Sequence, residues 1–462
     1  MSKTTKKYRL LAAALAITIS TGFSSYGACQ PATAAAEPPS FELSGPLPSP
    51  PPAMPGAPNS PGMQEVDASE LTACEIADDE TRTCDGLTLN AQNSNESAFL
   101  VRKGGSVTLT NSALSKTGDS SSADASNFSG QNAVFLASNS TAVLKNITLR
   151  SDADGANAIF ATGQNATIKA EHIVIHTKNN SSRGLDATYD GTIEANDVDI
   201  TTEGAHCGAL ATDRGEGSVI VTGAKLTTSG EGSPCIYSTG NIQLTDGRGE
   251  ATGSEIAVVE GKNSITLNNS GLTGHVKHGV MLYQSFSGDA GIGEATFTAK
   301  DSTLNNLSAG PMFYITNTTA VANLENTQLC QAGDVLVNAT SDRWGSEDKN
   351  GGIFTLNACN QQLNGKILAN NLSQVTLNLG NGANWTGSFN EDYQADKAVL
   401  QLSKAASWNV TADSYLTVIS DDDSAFANIN SNGHKVYYDK SSNPALGGKT
   451  YDLPGGGKLL AK

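Results

Sequence analysis

The sequence is poor in aromatic residues, 6% of 462, and in charged residues, 16%. Beyond its first twenty residues no apolar run reaches the length of a membrane-spanning helix. There is no C-x-x-C pair, no histidine cluster near the cysteines, no phosphate-binding loop and no hydrolase elbow. These absences leave no motif for a structural zinc site, a P-loop enzyme or an α/β-type serine hydrolase. Cations are also scarce. Lys and Arg total 29 against 46 Asp and Glu, a formal charge of −17. Such a surface repels nucleic acid and anionic lipid, so neither is expected as a partner. What abounds is Asn, Ser, Thr and Gly, with 47 glycines. That composition is rich in turns and poor in helix formers.

The first nine residues carry Lys3, Lys6, Lys7 and Arg9 and no acid, and Leu10 to Ile19 is mostly apolar. A basic start followed by about ten apolar residues reads as a secretory signal, assigned here to residues 1–36. Its removal takes the charge from −17 to −21, because those residues hold four cations and no acids. Tyr26-Gly27-Ala28-Cys29 is similar to a bacterial lipobox, with Tyr26 where that pattern has Leu, so Cys29 is a lipidation candidate. Ala32-Thr33-Ala34 and Ala34-Ala35-Ala36 offer ordinary cleavage instead. The expected location is extracellular or on the cell surface, with an outer-membrane lipoprotein and the periplasm as alternatives. Residues 37–70 read as a disordered tether, densest in proline at Leu47-Pro48-Ser49-Pro50-Pro51-Pro52.

Six cysteines follow Cys29. In an exported chain an even number suggests disulfides, and sequence order suggests Cys74–Cys84, Cys207–Cys235 and Cys330–Cys359. Cys207 and Cys235 also occupy matching places in successive repeats, which makes theirs the best supported pair.

From about Ala98 the chain repeats. A short apolar run recurs from Ala98-Phe99-Leu100-Val101 to Ile367-Leu368-Ala369-Asn370, with starts separated by 35, 25, 26, 24, 27, 21, 24, 32, 23 and 32 residues. The short intervals cluster near 25, and the long ones leave room for loops such as Thr117 to Gly130. A second signal is a pair of apolar residues five apart, as in Leu109/Leu114, Leu144/Leu149 and Ile168/Ile173. Asn111, Asn146, Asn269 and Asn326 hold one place within such pairs. Asn tolerates a left-handed turn and can bond to its copy one coil away. No unit is long enough to bury its own apolar face, so the units must stack. The fold class is all-β, a right-handed parallel β-helix. An N-terminal cap is expected at 71–94, repeats at 95–420 and a C-terminal cap at 421–462.

Alternation along the first strand of each repeat separates two columns. The second residues, Phe99 to Leu368, are uniformly apolar and are assigned to the core. The third residues then point outward and include Phe135, Phe160, Tyr237 and Tyr314. An exposed stripe of this kind usually marks an interaction site, so these four are the candidate binding residues. Asp186, Asp190, Arg214 and Glu216 form the best polar cluster, with Asp190 and Arg214 expected to pair at the surface. His275 to His278 and Asp421-Asp422-Asp423 read as solvated turns. No catalytic residue, metal ligand or cofactor is expected.

Near the C-terminus, Gly382-Ala383-Asn384-Trp385-Thr386-Gly387 and Ser407-Trp408-Asn409-Val410-Thr411 resemble the last coils of autotransporter adhesin passengers. The resemblance spans roughly residues 95 to 462. It implies a β-helical passenger that binds a glycan or a host or cell-surface protein. Those passengers continue into a membrane barrel, for which residues up to Lys462 leave no room. Parallel β-helices also include pectate lyases and polygalacturonases, but the paired aspartates, Gly-His-Gly and Arg-Ile-Lys of polygalacturonases are not found in order. The leading expectation is an adhesin-like binding protein. Polysaccharide lyase or glycoside hydrolase activity is second, and a purely structural surface role third.

Overall fold

A computed structural model describes residues 66–462. The signal peptide, Cys29 and all but the last residues of the tether lie outside the described residues. From Val66 onward the chain is a parallel β-solenoid of about 16 turns with almost no helix. Its one α-helix, α1, spans Ala123–Ser129.

Twelve successive turns each give one strand to a twelve-stranded parallel sheet, here sheet 1, which runs from Thr72–Asp78 to Lys366–Ala369. The rest of the wall is built from longer strands stacked in the same way. Thr141–Ser151, Thr167–Thr177 and Thr192–Thr202 are successive parallel neighbours. These strands carry the apolar pairs five residues apart. Strict alternation would send Leu144 and Leu149 to opposite faces. Asn146, at φ 57°, turns the chain between them, and both are fully buried. Asn111, Asn269 and Asn326 are likewise left-handed, with φ of 50°, 45° and 48°. The amide of Asn146 donates to Asn111 Oδ1 at 3.0 Å, that of Asn269 to Asp246 and that of Asn326 to Asp301. The expected ladder therefore exists, with Asp replacing Asn at some rungs.

The core is a continuous column inside the coil. In sheet 1, Phe99, Phe135, Ile159, Leu185, Leu210 and Ile236 stand in register and point inward. At the C-terminal end Trp385 and Trp408 stack at 5.0 Å, both fully buried, and each indole N–H donates to a backbone carbonyl. The tryptophans that carry the family resemblance are thus core residues.

None of the three expected disulfides forms. Cys74, Cys84, Cys207, Cys235 and Cys359 are free thiols, so none of these three pairings is made. Register explains Cys207 and Cys235. Leu210 pairs with Ile236, which places Cys207 opposite Ser233 rather than Cys235. Cys207 also replaces a serine in a buried ladder. The Ser182 N–H donates to Cys207 Sγ at 3.0 Å, and the Cys207 N–H donates to Ser233 Oγ at 2.9 Å. The thiol itself donates toward the Asn179 and Ala205 carbonyls.

Candidate functional site

Sheet 1 has a regular outward face, and the chain decorates it with three insertions. Residues 117–132, which include α1, rise from one rim. Residues 284–293 and 340–352 rise from the opposite one, where strands of sheet 1 lead into the next wall. All three fall within the long repeat intervals.

The α1 insertion forms a lid over the N-terminal part of the face. Ser122 caps the helix through Ala125 N–H, and Gly130 ends it at φ 70°. Only glycine fits there, since a Cβ would come within 2.5 Å of the Phe160 ring. Leu100, Leu136 and Phe160 point outward from sheet 1, yet all are fully buried together with Leu71 and Ala133. Thr188 Oγ1 donates to the Phe128 carbonyl, and Ser126 Oγ to that of Gly155.

Beside this apolar patch lies a charged box. The Arg183 guanidinium donates to Asn127 Oδ1 of α1 at 2.8 Å, to Asp186 Oδ2 at 3.3 Å and to Asp213 Oδ2 at 2.9 Å. Asp186 is fully buried and Asp213 nearly so, while Asp186 Oδ1 has no hydrogen-bond partner. Burial pushes the Asp186 carboxyl up to about 6 against the opposing pull of Arg183. It pushes Asp213 up to about 7, again with Arg183 opposing and the Asp186 charge adding. One cation stands between two buried carboxylates, so burial favours the protonated form of each against the pull of Arg183.

A second anchor lies farther along the sheet. Glu260 is buried. Its Oε2 accepts from the Tyr237 hydroxyl at 2.6 Å and the Tyr283 hydroxyl at 2.9 Å. Its Oε1 accepts from the Ser285 N–H, the Ser285 hydroxyl and the Ser287 hydroxyl. One carboxylate therefore fastens the 284–293 insertion to the sheet. Arg214 adds an ion pair to Asp289 and lies 4.0 Å over the Phe128 ring. Burial raises both tyrosine hydroxyls well above their ordinary value, which keeps them protonated donors.

Above this anchor the two loops make an aromatic platform. The Trp344 ring lies 5.6 Å from Tyr283 and 5.6 Å from Phe286, tilted by 49° and 56°. Phe286 is 64% exposed and Ile292, on the same loop, 90%. The Arg343 guanidinium lies 4.6 Å over Trp344. The 340–352 loop is fastened by Tyr314, whose hydroxyl donates to Asp342 at 2.8 Å, and by Asn350, whose amide donates to the Asp342 and Trp344 carbonyls.

The four sequence-derived binding residues take different places. Phe135 points inward and belongs to the core, because the apolar run of its repeat is one residue out of step with the strands beside it. Phe160 points outward as expected but is buried under the lid. Tyr314 is 8% exposed and stacks on His278 at 4.0 Å, while Tyr237 is half-buried with its hydroxyl on Glu260. The exposed stripe is therefore replaced by a covered face with an aromatic platform on top. His278 is half-buried on the same face rather than on a solvated turn. In the polar cluster, Asp186 joins Arg183, Arg214 joins Asp289, Glu216 joins Lys262, and Asp190 accepts from Gln164. Asp421 and Asp423 accept backbone N–H groups of their own turn. Among the described residues no group of three or more acidic, His or Cys side chains could hold a metal ion, and no helix is long and apolar enough to cross a membrane.

Sequence reading missed Arg183, Asp213, Glu260, Phe286 and Trp344. The repeat intervals of 32 residues were the available signal for the last two, since each contains one of these loops. Fold and site together define a parallel β-helix whose outer sheet face is built up by pinned loops. No protein-family model, no curated protein and no solved structure matches the chain.

Proposed function

We propose that this is an exported binding protein, adhesin-like in its mode of action, which contacts a glycan or a host or cell-surface protein through the outer face of sheet 1. One observation carries the reading: all three insertions sit on the rims of that sheet. They gather exposed aromatic and aliphatic side chains, Phe286 and Ile292 foremost, on a loop tied down by the buried carboxylate of Glu260. Rigid loops on a repeat scaffold lose little entropy on binding. The rest of the wall is plainer, as in the register column Thr141, Thr167, Thr192, Ser218, Asn241 and Ser264. The basic and apolar N-terminus supports export, and Cys29 supports tethering to the outer membrane.

A polysaccharide lyase or hydrolase is the second reading, favoured by the raised Asp186 and Asp213 carboxyls. Both, however, are turned to Arg183 beneath the lid, where a glycosidic bond has no approach. The test is an array of glycans and extracellular matrix proteins probed with purified mature protein, beside a calcium-supplemented lyase assay on acidic polysaccharides. Saturable binding without turnover is expected. Turnover would establish the second reading, and no binding to either class would overturn the first.

A further inference from the structure

We infer that Arg214 is a clasp that couples the α1 lid to the 284–293 loop, so that displacing either insertion loosens the other. The α1 insertion enters sheet 1 before its third strand, Phe135–Ser138, and the 284–293 loop leaves after the ninth, Val280–Tyr283. The two start from opposite rims. Arg214 follows the sixth strand, Leu210–Thr212, and so stands midway between them. Its guanidinium lies 4.0 Å over the Phe128 ring of α1, while its Nε donates to Asp289 Oδ1 of the loop at 3.0 Å. A planar guanidinium can hold a ring on its face and a carboxylate at its edge together, which an ammonium cannot. The side chains of Arg214 and Asp289 are only 20% and 19% exposed, so water screens this joint weakly.

The lid is built to open locally. A helix of seven residues has little stability alone, and α1 depends on contacts with other coils. Arg183 donates to Asn127, Asn157 to the Ser126 carbonyl and Thr188 to the Phe128 carbonyl, and Arg214 covers the Phe128 ring. Beneath it Arg183, Asp186 and Asp213 are buried together, and Asp186 Oδ1 accepts no hydrogen bond. Burying such groups is costly, so the lid opens at a lower free energy than the coils around it. The loop is fastened through Ser285 to Glu260, whereas Phe286 and Ile292 stand out to solvent. Pulling Asp289 outward draws Arg214 off the Phe128 ring, and a lid that leaves takes the ring from Arg214. Linkage makes the coupling equal in both directions. It holds whether or not the outer face binds the partners proposed above.

Backbone hydrogen exchange of the full-length mature protein tests this, comparing residues 123–131 with residues 284–293. Asp289→Ala removes the carboxylate from the loop. Phe128→Leu removes the ring face from the lid and keeps an apolar side chain. Asp289→Ala should speed exchange in 123–131, and Phe128→Leu in 284–293, each by roughly threefold to tenfold, the range of a single cation–π contact. Rates are taken relative to the strand Thr167–Thr177, which corrects for any loss of global stability. Lys300→Gln, which breaks an exposed pair with Glu325 on another wall, should change neither segment. Faster exchange confined to the insertion that carries the substitution overturns the coupling, and so does an effect in one direction only.

Discussion

At Asp213 and Asp186 the structure holds carboxyls that bind protons more tightly when folded than when unfolded. Their folded values lie near 7 and 6, above the ordinary carboxylate range. Such groups add stability that is complete below the unfolded value and is lost as pH rises through 6 and 7. Asp78 and Asp85 act oppositely: hydrogen bonds from Lys103 and from Thr110, respectively, hold them low, so they cost stability only in stronger acid. Thermal melts should therefore give a higher midpoint at pH 5 than at pH 8. Asp213→Asn, which keeps an acceptor for Arg183, should flatten that difference. A variant as pH-sensitive as the wild type would show that the box does not set the profile. Cysteine gives a second test at this scale. Burial raises the Cys207 thiol to about 11 and Cys235 to about 12, while Cys74 and Cys359 are exposed. Iodoacetamide on native protein at pH 8 should label Cys74 and Cys359 and spare Cys207 and Cys235 until denaturant is added. Rapid native labelling of Cys207 would contradict its place in the serine ladder.

The strand bent at a left-handed residue is the element that makes each coil. Asn146 stands at φ 57° between two buried leucines and donates to Asn111. Asn146→Gly should be nearly neutral apart from the lost hydrogen bond. Asn146→Val places a β-branched residue where L side chains clash and should cost about 1–2 kcal/mol in denaturant unfolding. Equal stability of the two variants would mean that the corner is held by packing alone. This corner was legible in the sequence because its signature is local: two apolar residues five apart with Asn between them. The phase of each sheet 1 strand was not, because its runs are apolar at several consecutive positions. In Ala133-Val134-Phe135-Leu136 every residue is buried, and only pairing with Phe99 and Ile159 shows that Phe135 points inward.

Across the molecule, the strands of each coil pair only with those of its neighbours, so stability passes along the solenoid coil by coil, and the insertions add ties between coils farther apart. At the C-terminal end the parallel run closes on an antiparallel pair, Tyr451–Asp452 with Lys458–Ala461. Tyr438, fully buried, donates its hydroxyl to the Lys449 carbonyl within this closing segment. Deleting residues 441–462 would bare the edge of Lys435–Tyr438 and an apolar coil end. Self-association in size-exclusion chromatography is expected. A monomeric, soluble truncation with unchanged melting would show that this segment does not cap the solenoid.

Coil period, wall corners and the positions of the insertions were determined by the sequence alone, since each rests on residues near one another along the chain. Its Asn and Gly mark left-handed corners, and its long intervals mark the loops. Which face those loops cover was decided only by tertiary structure. Arg183 meets Asp213 across 30 residues and Asn127 across 56, while Trp344 reaches Phe286 from two coils away. No pattern of spacing encodes those meetings. They follow from stacking, which brings residues about 25 apart in sequence to neighbouring rungs and lets loops from distant coils lie side by side. The Cys207–Cys235 expectation failed for the same reason: register sets Cys207 opposite Ser233, two residues short of Cys235, and so places it in a serine ladder.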